Sequence, residues 1–274
     1  METTTAAPAA NDGVTGSAPL YVRPEPLNFD QHKKLGLKQV NAPFAFVAGQ
    51  HFVPLLAGEF AAAALSYPII FAGPEQMPLA VMGINVGENL YFEADGTVKP
   101  DAYLPAYVRR YPFTVASDEA LGRMIVCIDA GSKLIGENAE FPLFKADGSP
   151  TDYTQRCIDF CQQFDVERKR TEDFVKILRD MQLIESRVQT HTPTNPDGTP
   201  GTPVQIAEYG AVNEQKLIDL PDDKYLELKR NGAIGLIYAH LISLGGWERL
   251  IALQIAKTNA KNGLTPMGQP VGSA

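Results

Sequence analysis

Cysteine, histidine and tryptophan are scarce in this chain, at three, four and one among 274 residues. Cys127, Cys157 and Cys161 leave one cysteine over in any pairing, which excludes a disulfide framework as the source of stability. His32, His51, His191 and His240 are scattered, and none joins a cysteine at the short spacings of a zinc site. No stretch approaches the roughly 18 uninterrupted apolar residues of a membrane-spanning helix. Ala233 to Leu244 is the most apolar run, and it is too short. Basic residues number 24 against 32 acidic ones, for a formal net charge of −8. A surface of that sign repels phosphate backbones, so nucleic acid is not an expected partner. The densest basic run, Glu167-Arg168-Lys169-Arg170, is followed at once by Glu172 and Asp173 and reads as a solvated helix face.

Catalytic signatures are also missing. There is no Gly-x-Gly-x-x-Gly after a strand, no phosphate-binding P-loop, no Gly-x-Ser-x-Gly elbow and no His-Glu-x-x-His. Without a recognisable catalytic motif, the reading leans away from an enzyme, and no cofactor or metal is expected. The first residues carry neither a basic n-region nor an apolar h-region, so the expected location is cytoplasmic.

What is present is ordinary globular composition, 45% hydrophobic and 20% charged. That is enough to bury a core without a disulfide or a metal. Residues 1–20 and 261–274 are rich in small residues, Gly and Pro without periodicity and read as disordered tails. One α+β domain is expected between them, over 21–260, with a mobile surface loop at 192–203.

The spacing of apolar residues predicts the elements. Phe44 to Val47 is a strand candidate. Leu56, Phe60, Ala63 and Tyr67 recur at helical spacing until Pro68 ends the helix. Ile69 to Ala72, Leu79 to Ile84 and Asn89 to Phe92 read as strands of a meander, with Asp95-Gly96 as a tight turn. Phe113 to Val115 and Met124 to Ile128 are further strands, and connections this short favour antiparallel pairing. A long helical pattern runs from Thr151 to Ile184, as one helix or as a pair if Thr171 caps a second. Val188 to Thr190 and Val204 to Ala207 flank the loop as two strands. Asn213 and Asp222 sit where N-caps belong. Ala233 to Leu244 is read as a buried strand, with a final helix from near Trp247. The expected fold is therefore largely antiparallel sheet with a long mid-chain helix or helix pair and C-terminal helices.

Three segments carry a family likeness. The first is Phe46-Val47-Ala48-Gly49-Gln50-His51-Phe52-Val53-Pro54-Leu55, running on through Glu59-Phe60 to Tyr67-Pro68-Ile69-Ile70-Phe71. The second is Ala102-Tyr103-Leu104-Pro105-Ala106-Tyr107-Val108-Arg109-Arg110-Tyr111-Pro112-Phe113. The third runs from Asn231-Gly232-Ala233 through Tyr238-Ala239-His240-Leu241 to Ser243-Leu244. Together they resemble the SapC family of bacterial proteins, over about Pro26 to Leu253. Members often carry a tryptophan just after the Asp-Gly turn, where this chain has Val98. The resemblance implies a structural or accessory role at the bacterial surface layer (S-layer) or envelope, with cell-surface association and an unidentified protein partner.

The residues themselves suggest a second possibility, a cytosolic protein or enzyme holding a small anionic ligand. Arg109 and Arg110, held between Pro105 and Pro112, could clamp a carboxylate or phosphate. In an extended segment they would point to opposite faces, one of them paired with Glu59 or Asp129. His51 and His240, with Glu59 or Asp129, could form a metal site or an acid–base pair if the fold gathers them, although a lone histidine in an apolar setting is more often a bonded core residue. Tyr67, Tyr103 and Trp247 could line a pocket, although aromatics at such spacings also build cores. The candidate ligand-binding residues are thus Arg109, Arg110, His51, Glu59, Tyr67 and His240.

Overall fold

The computed structural model describes residues 20–118, 123–195 and 198–264. Most of both expected tails, and part of the expected mobile loop, lie outside these residues. In chain order the elements are β1 (Pro24–Pro26), α1 (Phe29–His32), β2 (Leu35–Leu37), β3 (Phe52–Pro54), α2 (Phe60–Ala63), β4 (Ile69–Ala72) and β5 (Met77–Val81). There follow α3 (Ala106–Arg109), β6 (Phe113–Asp118), β7 (Arg123–Asp129), β8 (Ile135–Glu137), β9 (Phe141–Pro142) and α4 (Asp152–Asp180). The last are β10 (Ile184–His191), β11 (Val204–Val212), α5 (Glu214–Ile218), α6 (Asp222–Arg230), α7 (Ala233–Ser243) and α8 (Gly246–Lys261). Helices combined with antiparallel sheets make this the expected α+β fold.

The chain separates into two compact units, Met1–Gln39 with Pro112–Cys161, and Val40–Tyr111 with Gln162–Ala274. The first unit carries two small antiparallel sheets, ordered β1-β7-β6 and β8-β2-β9. Its core gathers Leu37, Phe113, Ile128, Ile135, Leu143 and Cys161, with Cys157 packed at the margin. All three cysteines are free thiols; Cys127 and Cys161 are buried as small apolar side chains. Asp129 is fully buried here and accepts the N–H groups of Val22, Arg23 and Gly131.

The second unit is built on one antiparallel sheet ordered β10-β11-β4-β5-β3. Val53, Ile69, Phe71, Ala80, Ala211 and Val212 are buried sheet residues, and Phe60, Leu178, Ile237 and Leu250 are buried helix residues. Several local expectations are corrected in this unit. Ala233 to Ser243 is helix, not strand. It follows Gly232, whose left-handed φ of +79° separates it from α6, and it buries Ala233, Ile237, His240 and Ser243 at helical spacing. Residues 45–47 form a 3-10 turn rather than a strand, and the neighbouring strand is β3. Residues 89–92 contribute only one bridge, Phe92 to Val98. The side chain of Asn89 takes the N–H groups of Tyr91 and Phe92, which a ladder would otherwise use.

α4 is unbroken through Thr171. Instead of capping a second helix, the Thr171 hydroxyl donates to Glu167 O at 2.8 Å and accepts Ala57 N–H at 2.9 Å. α6 begins at Asp222, with Pro221 at its N-cap, whereas Asn213 caps α5 as expected by accepting Lys216 N–H.

The Asp95-Gly96 turn depends on glycine twice over. Gly96 has φ +86°, and a Cβ there would lie 2.3 Å from Ala42 Cα. Gly96→Ala is expected to cost about 2 kcal/mol or more, from combined strain and backbone clash. Urea unfolding checks this; an unchanged midpoint would mean that the turn relaxes freely.

Candidate functional site

Glu59 is the last residue of the 3-10 turn Ala57–Glu59 that leads into α2, and it is buried. Its Oε2 accepts the N–H of Leu56 at 3.1 Å, reaching back over the start of the turn. Its Oε1 accepts Ala106 N–H at 2.7 Å and the Tyr103 hydroxyl at 2.9 Å. Ala106 opens α3, so its N–H belongs to a helix start that a carboxylate suits. Arg109, three residues on in α3, brings a guanidinium nitrogen to 3.7 Å from Oε1.

Tyr103 and Tyr67 continue the same chain of bonds. The Tyr67 hydroxyl donates to Tyr103 O at 2.6 Å, and Tyr103 N–H donates to Ser66 Oγ at 3.0 Å. Ser66 Oγ donates to Asp101 O, while Tyr91 OH donates to Ser66 O. Burial pushes the Tyr103 hydroxyl up to about 12, helped by the adjacent Glu59 charge, so it stays a neutral donor. Burial also raises Tyr67, helped by Tyr91. Residues 101–106 are therefore held against the start and end of the Glu59–Tyr67 segment.

The two arginines part company. The segment is a helical turn, not extended as expected, and successive side chains diverge by about 100° around it. Arg110, at its C-cap, is buried with its guanidinium 4.5 Å from the Tyr107 ring centre and 4.2 Å from that of Phe164. Such stacking suits the planar guanidinium. Arg109 has a side chain 43% exposed.

The histidines lie apart from this cluster. His51 is half-buried, edge-on to Phe52, and burial lowers its pKa. Its carbonyl accepts the N–H groups of Met82 and Gly83. His240 in α7 is fully buried beside Phe71, and its Nε2 accepts Val212 N–H at 3.0 Å. An accepting Nε2 places the ring proton on Nδ1. Neither ring bonds to Glu59. Among the described residues no three His, Cys, Asp or Glu side chains converge as metal ligands would. Trp247 is buried against Tyr209 rather than near Tyr67 or Tyr103 in any ring pair.

Two residues essential to this arrangement, Ser66 and Asn89, carried no sequence signal. Asn89 Nδ2 donates to Val47 O and Gln50 O while its Oδ1 accepts two backbone N–H groups. A single buried polar residue leaves no periodic trace; only its position beside the family-like segments could have drawn attention to it.

A family model described as SapC matches residues 27–250. No curated protein and no solved structure matches the chain.

Glu59→Ala strands two buried N–H groups and is expected to cost about 2–4 kcal/mol. Arg109→Ala, removing a half-exposed ion pair, is expected to cost under about 1 kcal/mol. Urea unfolding of both variants compares them; equal losses would make the ion pair, not the captured N–H groups, the main tie.

Burial pushes the His240 imidazole down to about 4 from its ordinary 6.5. A depressed pKa means that the unfolded chain takes up the proton first as pH falls. Stability is full above about 6.5 and falls as pH drops towards 4, by on the order of 3 kcal/mol. His240→Gln, which keeps an acceptor for Val212, is expected to flatten this part of the pH profile. An identical slope in wild type and variant would assign the proton uptake elsewhere.

Proposed function

The chain belongs to the SapC family, and from that premise we propose that it is a non-catalytic structural or accessory protein linked to the bacterial surface layer or envelope. The observation that carries this reading is the commitment of the polar candidates to the fold. Both oxygens of Glu59 hold backbone donors, Arg110 is stacked between rings, and Tyr67 and His240 bond to the main chain. A general acid or base must reach a substrate proton; the Glu59 oxygens, the Tyr67 hydroxyl and His240 Nε2 are already occupied, and His240 Nδ1 is buried away from solvent. Buried polar groups that bind main-chain partners organise a scaffold.

A second reading rests on one observation. Arg109 stays half-exposed, so a small anion could approach it, as a cytosolic ligand-binding protein or enzyme would require. The nearby Glu59 carboxylate opposes that, because it already balances the charge.

Fractionation of native cells separates the two. The envelope role predicts recovery of the protein with the envelope fraction. A pool found wholly in the cytosol would overturn it. Calorimetric titration with inorganic phosphate completes the comparison. No heat of binding is expected, whereas saturable binding lost in Arg109→Ala would favour the anion site.

A further inference from the structure

β10 is the terminal strand of the second unit's sheet and, among the described residues, has no strand on its outer edge. It is eight residues long, Ile184-Glu185-Ser186-Arg187-Val188-Gln189-Thr190-His191, and contains neither proline nor lysine. Those are two of the devices that blunt an open edge; a third, a break in register, is confined to the far end between Gln189 and Thr190. Ser186, Val188 and Thr190 are exposed, Val188 at 53%.

The direction of its backbone groups follows from the register. Ile184 faces Val212, Ser186 faces Gly210 and Val188 faces Glu208. Asn213 N–H donates to Leu183 O at 2.8 Å. Because bonded pairs alternate along an antiparallel ladder, Glu185, Arg187 and Gln189 exchange bonds with β11. Ile184, Ser186 and Val188 therefore turn N–H and C=O towards the open edge. The partner of Ile184 obeys the same alternation, since Val212 N–H points away from β10 to His240.

We propose that β10 pairs antiparallel with β10 of a second copy of this chain, about a two-fold axis through Ser186. In that register Ser186 meets the partner's Ser186, and Ile184 meets the partner's Val188 on both sides of the axis. These are the residues whose backbone groups face outwards, giving up to about six hydrogen bonds, two per pair. The residues between them complete the match by charge. Glu185 falls opposite the partner's Arg187, and Arg187 opposite the partner's Glu185, with cross-strand Cβ atoms about 5 Å apart. Within one chain these two side chains already sit on one face, 3.6 Å apart.

Other two-fold registers fit less well. An axis through Arg187 would still pair outward groups, Ser186 with the partner's Val188, but it sets Arg187 opposite its own copy and loses both Glu–Arg pairs. An axis through Val188 runs the pairing across the irregularity between Gln189 and Thr190, where the alternation breaks.

The test is the oligomeric state of the full chain by sedimentation and light scattering over rising concentration. Wild type is expected to associate reversibly to a mass of two chains. Ser186→Pro removes an outward N–H and leaves the ladder with β11 intact, so it is expected to remain a folded single chain. Arg187→Glu and Glu185→Arg each set like charges opposite and are expected to be single chains alone. Mixed, the two restore both opposite-charge pairs and are expected to form a heterodimer. The proposal is overturned if wild type stays a single chain at high micromolar concentration, or if folded Ser186→Pro still dimerises. Failure of the two folded charge variants to associate when mixed overturns it equally.

Discussion

The carboxylate of Glu59 is the constraint around which the second unit is arranged. A buried charge is tolerated only where donors surround it, and here the donors come from two distant stretches of chain. Leu56 lies three residues before it, and Tyr103 and Ala106 more than forty after it. One carboxylate thus fixes the start of a 3-10 turn, the start of α3 and, through the Tyr103 hydroxyl, the approach to α3. Once α3 is placed, Arg109 must lie beside Glu59 and Arg110 must turn away towards Tyr107 and Phe164. The Coulomb term is the smaller part of this, because Arg109 is half-exposed and 3.7 Å away. Hydrogen bonds to the charged carboxylate carry more.

This explains why two separate sequence segments act as one signature. Tyr67 reaches Tyr103, Tyr91 and Tyr103 both meet Ser66, and Glu59 meets Ala106. The motif around Tyr67-Pro68 and the motif around Arg109-Arg110 are two sides of one contact. Pro68 then releases the chain into β4, whose Ile69 N–H is taken by Ser243 from the third segment. All three family-like segments meet through hydrogen bonds within the second unit.

Much of the fold was legible where patterning and turn chemistry agreed. β4, the β6–β7 pair, the long α4, and the β10–β11 pair followed from apolar spacing and from Gly and Pro punctuation. The failures share a cause. Ala233 to Ser243 is apolar nearly all round, so period could not separate helix from strand; Tyr238 and Ile242 remain exposed, hiding the buried stripe. At residues 89–92 the Asn89 side chain took the N–H groups of Tyr91 and Phe92, and it also bonds Val47 O at the end of the 45–47 turn, which backbone bonds close. The bond to Val47 O spans 42 positions and leaves no local pattern. Of the candidate site, Glu59 and Arg109 do meet, as the ion-pair alternative required, and the extended geometry assumed for the arginines does not hold.

The contrast between the interior and the edge of this unit bears on how it can act. Glu59, Tyr67, Ser66 and Asn89 are bonded to the main chain, so these atoms offer little to a ligand without unfolding their own support. At β10 the situation is reversed. Backbone groups that a sheet normally pairs stand open there, next to a Glu and an Arg on the same face. Recognition through such an edge depends on main-chain hydrogen bonds for attraction and on side-chain alternation for register. Side-chain chemistry of the catalytic kind is not needed for it. An edge with open backbone groups and an alternating Glu and Arg thus has the two elements that strand pairing requires, attraction along the main chain and register from the side chains.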